Sequence, residues 1–129
     1  MPRILLVDDE SDWRALMVRQ LTAKGHDVFS AGNGFEALKI LDSNQVDLMI
    51  TDLVMPDMDG FELFMALNER PQRPRIIVMS GGAVGIDGAN LLNMAKLMGA
   101  EKNMSKPVGF AELETAIAGV LACSSEPVH

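Results

Sequence analysis

Short apolar runs alternate with stretches of helical period along the whole chain. ILLV (Ile4–Val7) is a compact apolar block, the length of a buried strand rather than of a helix. Trp13, Leu16, Met17 and Leu21 then recur at helical spacing, with Ser11 as the expected N-cap and Lys24-Gly25 as the expected end. DVFSA (Asp27–Ala31) predicts a second strand, and Gly34 opens a helix that carries Ala37, Leu38 and Leu41 on one face. VDLMI (Val46–Ile50) predicts the third strand and FELFMALNE, after Gly60, the third helix. Pro71 and Pro74 bracket a loop before RIIVM (Arg75–Met79), the fourth strand. A glycine-rich loop, GGAVGIDG, leads to ANLLNMAKLMGA, a fourth helix ending at Gly99. KNMS (Lys102–Ser105) predicts a short fifth strand, and Phe110 to Ala122 a last helix.

Five strand–helix units in succession predict an α/β fold: a parallel sheet covered by helices on both faces. Strands one, three and four are nearly all apolar, as strands buried on both sides must be. The second alternates more, as an edge strand does. No linker or low-complexity stretch divides the chain, so residues 1–122 are expected to form one domain, with 123–129 a short polar tail.

Composition narrows the class. A chain of 129 residues, 48% hydrophobic, suits a single domain with an ordinary core. Eleven Lys and Arg against eighteen Asp and Glu give a net charge of −7, which argues against a general nucleic-acid or anionic-membrane binder. No apolar run reaches the roughly 18 residues that span a bilayer. MPRILLVDDE is too short and too acidic for a signal peptide. The single cysteine, Cys123, can form no internal disulfide and has no histidine beside it, so the cytoplasm is the expected compartment.

The chemistry gathers where the strands end. In open α/β sheets ligands bind at the carboxyl ends of the strands. Asp8, Asp9 and Glu10 follow strand one, Asp52 follows strand three, Ser80, Gly81 and Gly82 follow strand four, and Lys106 and Pro107 follow strand five. Each has a plain structural reading on its own. Asp8 and Asp9 can cap the first helix, Asp52 can start the turn that Pro56 and DMDG continue, Ser80 can be a loop hydroxyl, and Lys106 a surface lysine. Together they read differently. Carboxylates brought into one place repel, and a buried one costs free energy unless it is compensated. A hard divalent cation compensates them, and Mg²⁺ prefers a few carboxylates plus waters and phosphate oxygens. An anionic nucleophile, a metal, a hydroxyl and a lysine at one rim describe phosphoryl transfer onto a carboxylate.

VDDE at 7–10, TDLVMPDMDG at 51–60, MSGG at 79–82 and SKP at 105–107 resemble, in order and spacing, the receiver domain of bacterial two-component response regulators. The resemblance covers Arg3 to about Leu121. It implies the flavodoxin-like (βα)5 fold, doubly wound, with strand order 2-1-3-4-5. It also implies that Asp52 takes a phosphoryl group from the phosphohistidine of a sensor histidine kinase or a histidine phosphotransfer protein. Asp9, with Asp8 and Asp52, would hold Mg²⁺, joined by the backbone carbonyl of Val54. Ser80 and Lys106 would bind phosphoryl oxygens, with Gly81 and Pro107 in supporting positions. Pro56, Asp59 and Gly60 would shape the turn over the site. A downstream protein would dock on the face made by the fourth helix, fifth strand and last helix, with no direct contact to nucleic acid or membrane.

The chain departs from that pattern at three places. Asn103 stands where such receivers carry a tyrosine, phenylalanine or histidine that rotates on activation, which puts the aromatic half of the switch in doubt. Val54 and Gly82 have no polar group to orient a hydrolytic water, so self-dephosphorylation is expected to differ from that of relatives with polar groups there. With no output module after Ala122, the chain is expected to be a stand-alone regulator or the excised receiver of a longer protein. It is read as a signalling domain, catalysing only its own phosphorylation and dephosphorylation. Two alternatives stay open. A haloacid-dehalogenase-like aspartyl-phosphate phosphatase shares the nucleophile, metal, hydroxyl and lysine but needs DxD after strand one, where this chain has DDE. A receiver that docks without phosphorylation is the other, kept open by Asn103. No GxxxxGK[ST] loop supports a nucleotide-binding module. His26 reads as a solvated turn residue, and Met94 and Met98 as core or partner surface.

Overall fold

The computed structural model describes residues 2–52, 65–66, 74–80, 101–105 and 108–124, with Ser80, Asn103, Ser105, Cys123 and Ser124 described in their backbone only. The described residues form five strands: β1 (Arg3–Val7), β2 (Asp27–Ala31), β3 (Leu48–Asp52), β4 (Arg75–Ser80) and β5 (Lys102–Ser105). The described helices are α1 (Ser11–Ala23), α2 (Gly34–Ser43) and a C-terminal helix (Phe110–Ser124). The strands form one sheet in the order β2-β1-β3-β4-β5, every neighbour parallel. This is the flavodoxin-like α/β architecture expected from the sequence.

The two-residue strand period sorts the apolar side chains into two cores. Ile4 and Leu6 of β1, Leu48 and Ile50 of β3, and Ile77 and Met79 of β4 pack with Met17 and Leu21 of α1 and with Leu113, Ile117 and Val120 of the C-terminal helix. Leu5, Val7, Met49, Ile76 and Val78 point the other way and pack against Ala37 of α2, with Leu38 and Leu41 beside it. Helices therefore cover both faces. Burying each large aliphatic side chain contributes about 1.5–3 kcal/mol, so the central strands anchor the rim they lead to. β2 is an edge strand, its Asp27–Phe29 half-buried and Ser30 exposed.

Local chemistry shifts several boundaries. β3 begins at Leu48 rather than Val46 and continues through Thr51 and Asp52, which pair with Val78 and Met79. Val46 is buried but precedes the strand, because Asp47 is held in exchange with Arg3: the Arg3 amide donates to Asp47 Oδ2 at 2.9 Å and the Asp47 amide to the Arg3 carbonyl at 2.9 Å. In α1 the N-cap is Glu10 rather than Ser11, and no side chain caps it. The Glu10 amide is drawn back to Asp8 Oδ1 at 2.8 Å, which starts the helix one residue early. Leu16, read as part of the apolar stripe, is 46% exposed, because Met17 and Leu21 define the inward direction. α2 starts as expected: Asn33 Oδ1 accepts from the Glu36 amide, while Glu36 Oε1 accepts from the Gly32 amide, a reciprocal arrangement close to a capping box. His26 is half-buried rather than solvated, its Nδ1 buried without a hydrogen-bond partner among the described residues. Met65 and Ala66 are helical, inside the predicted third helix, and the C-terminal helix runs on to Ser124. The predicted fourth helix, with Met94 and Met98, lies outside the described residues.

Candidate functional site

β1 and β3 lie side by side at the centre of the sheet, with Val7 opposite Thr51. One step further along each strand brings Asp8 next to Asp52. Strand parity also puts both carboxylates on the face shared by α1 and the C-terminal helix, continuing Ile4–Leu6 and Leu48–Ile50. Asp8 is fully buried, Asp52 is 6% exposed, and Asp9 faces solvent. One carboxylate oxygen from each of the three lies within 4.8 Å of the other two.

Asp8 is held firmly. Its amide donates to the Ala31 carbonyl at 3.1 Å, tying the end of β1 to the end of β2. Its Oδ1 accepts from the Glu10 amide, and its carbonyl accepts from Arg14 Nη1. Asp52 is fixed through its backbone, whose carbonyl accepts from the Thr51 hydroxyl at 3.0 Å while the strand pairs it with Met79. The acids are thus set by strand ends and a helix start.

The donor set is all carboxylate oxygen. Such a set fits a hard cation and offers no thiolate or imidazole to a softer one. Exposure of Asp9 leaves the cluster bordering solvent, where waters and a phosphate oxygen could complete a coordination shell. The residues therefore fit the cation that the sequence implied.

Ser80 is the last residue of β4, one step beyond Met79, and its backbone pairs with Ser105. Its position in the chain is at the same rim, but its side chain is not described. Asn103 pairs with Val78 through its backbone, with its side chain likewise not described. Val54, Pro56, Asp59, Gly60, Gly81, Gly82, Lys106 and Pro107 lie outside the described residues. Arg14 and the hydrogen-bond partner of Trp13 escaped the sequence reading. Arg14 holds the Asp8 carbonyl, and Trp13 Nε1 donates to the Val108 carbonyl at 3.2 Å. An arginine one turn into the helix after an acidic pair is a signal that could have been weighed. The Trp13 contact spans too much of the chain to leave any local signal.

The family model described as the response regulator receiver domain matches residues 4–118. The chain belongs to the response regulator receiver family. Sporulation initiation phosphotransferase F of Bacillus subtilis is 30% identical over 123 residues, covering 95% of this receiver and 96% of that protein. The probable transcriptional regulator ycf27 of Cyanidium caldarium is 34% identical over 118 residues, covering 92% of the receiver and 45% of the relative. The receiver spans less than half the length of several of the transcriptional regulators it matches. Among solved structures, the response regulator TrrA of Thermotoga maritima, in complex with Mg²⁺ and BeF, superimposes with a TM-score of 0.76 at 29% identity, covering 93% of this chain and 99% of that one. The receiver is thus a phosphorylation-activated module of two-component signalling, a class that works with histidine kinases or phosphotransfer proteins. No helix among the described residues is long and apolar enough to cross a membrane.

Proposed function

We propose that Asp52 is the phosphoacceptor of this receiver and that Asp8, Asp9 and Asp52, with the Val54 carbonyl, hold Mg²⁺. The observation that carries the reading is the convergence of three carboxylates, two of them out of water, at the end of the central strands. A buried like-charged cluster costs stability unless something offsets its charge.

The partner would be the phosphohistidine of a sensor kinase or of a histidine phosphotransfer protein. A carboxylate oxygen of Asp52 attacks phosphorus in line, the P–N bond breaks, and the imidazole leaves with the electron pair and takes up a proton. Bound Mg²⁺ would neutralise the charge that the carboxylates and the phosphoryl oxygens bring together. Asp8, clasped by the Glu10 amide and Arg14, keeps its carboxylate beside Asp52 with little freedom to move. Lys106 would pair with a phosphoryl oxygen, and Ser80, supported by Gly81, would donate a hydrogen bond to another. Lys106 would be aimed by Pro107. The protein acts on itself only, gaining and losing one phosphoryl group. With Asn103 in place of an aromatic residue, switching would run through Ser80 and the loop after it, and a downstream protein would dock on the fourth helix, β5 and the C-terminal helix. The domain would end near Ala122, ahead of a short tail, and work in the cytoplasm.

The test is intact-mass analysis after incubation with acetyl phosphate and Mg²⁺. Wild-type protein should gain one phosphoryl group and Asp52→Asn none. Uptake by Asp52→Asn under the same conditions would show the assignment to be wrong.

A further inference from the structure

We infer that Trp13 is a positioning residue for the phosphoryl site, tying the helix that follows the acidic pair to the chain that follows β5. The inference rests on the proposed role of Lys106. Trp13 stands in the first turn of α1, directly after Asp8–Glu10. Its indole is half-buried against the core that includes Met17 and Leu113. Its Nε1 donates to the carbonyl of Val108, a residue only 4% exposed in the same core. Val108 follows Lys106 by two residues and precedes the C-terminal helix, whose first turn closes with the Leu113 amide on the Gly109 carbonyl at 3.0 Å.

The neighbouring residue completes the link. Arg14 donates to the Asp8 carbonyl, so two consecutive residues of one helical turn hold the end of β1 and the start of the segment before the C-terminal helix. One reaches the strand end that carries the acids, the other the segment that carries the lysine. Met17 and Leu21 embed the same helix in the core, so the turn cannot slide without disturbing packed side chains. Phosphoryl transfer depends on the spacing of the attacking carboxylate and the lysine that receives the phosphoryl oxygen, and misplacement by a fraction of an ångström slows it. Among the described residues, the Trp13 hydrogen bond is a directional side-chain contact between these two segments, beside the packing of Met17 and Val108 in one core.

A purely structural indole would also seek a partner for its N–H, so the test must read more than stability. Trp13→Phe keeps most of the ring and removes the donor. Phosphorylation by acetyl phosphate with Mg²⁺ should slow roughly three- to tenfold, the effect of one lost hydrogen bond on a barrier. Because Trp13 acts through Lys106, the same substitution should have no further effect in a Lys106→Ala background. Trp13→His, which retains a ring N–H, should recover part of the rate. An unchanged rate in Trp13→Phe, or equal slowing in both backgrounds, would overturn the inference. Should Trp13→Phe fail to fold, the wild-type protein decides. Trp13 is the chain's one tryptophan, so a ¹⁵N spectrum holds a single indole cross-peak. That peak should shift on saturation with Mg²⁺ and beryllofluoride, and a stationary peak would overturn the inference. A wild-type protein that takes up no phosphoryl group would instead defeat the reading of the site on which the inference rests.

Discussion

The two ends of the sheet carry charge in opposite ways. At the amino ends of the strands, the described acids stand apart from one another, each beside a basic side chain or a backbone amide. Arg3 Nε lies 3.6 Å from Asp27 Oδ2, and Arg75 Nη1 lies 3.8 Å from Glu101 Oε2. Glu101 also accepts from the Ile76 amide at 2.9 Å, and Asp47 from that of Arg3. At the carboxyl ends, Asp8, Asp9 and Asp52 bring charges of one sign together, and two of the three are buried. Mixed, half-exposed pairs steer strand ends at little energetic consequence. A buried cluster of one sign opposes folding unless something offsets its charge. Position within one sheet therefore separates charges that steer strand ends from charges gathered in one place.

That contrast can be broken at either end. The largest effect should come from removing the cation: with a chelator in place of Mg²⁺, the rate of phosphoryl uptake should fall at least about 100-fold, since several kcal/mol of charge stabilisation are withdrawn. Time-resolved mass analysis measures it, and uptake at an undiminished rate would mean that the acids do not work with a metal. Next, Asp9→Ala should weaken Mg²⁺ binding at least about tenfold by calorimetry, a loss seen even when outer-shell partners of a metal are removed. Unchanged affinity would remove Asp9 from the ligand set. Third, saturating Mg²⁺ should stabilise the wild type more than it stabilises Asp52→Asn, by about 1 kcal/mol, because the variant lacks one of the three carboxylates that would hold the ion. A urea midpoint that rises further in the wild type, with an unchanged slope, is the expected signature. The smallest effect belongs to the other rim. Arg75→Ala should cost less than about 1 kcal/mol and leave phosphoryl uptake as it was. A large loss there would show that the two ends differ less than their charges imply.

Much of this arrangement was legible in the chain. The boundaries of β2 and its edge character follow from apolar patterning, and the place of β5 and the order of the acids at strand ends follow from strand–helix alternation. The register of β3 did not. Hydrophobic period reads only apolar residues and so picks out VDLMI, whereas Thr51 and Asp52 stay in the ladder because β4 offers them pairing partners. Ser11 is the residue type that caps helices, but the Asp8 carboxylate captures the Glu10 amide first, an effect of the strand end that capping preference does not contain. Leu16 matched the helical stripe by spacing alone. Its exposure follows from the orientation that Met17 and Leu21 impose on α1. The contacts of Trp13 and Arg14 depend on which backbone carbonyls the fold brings near, and backbone carbonyls carry no letter in a sequence.

Asp8 and Asp9 belong to the first strand–helix unit and Asp52 to the third, and β1 and β3 must pair before their carboxylates meet. In the unfolded chain the cluster does not exist, so a cation bound there binds the native state alone. Mass action then adds to stability, by about 2.7 kcal/mol when the free ion is at 100 times its dissociation constant. That gain lowers the fraction of molecules open to proteolysis. The same three acids that would prepare the chain for a signal would then set its lifetime between signals, with the divalent-ion level of its surroundings as the timer.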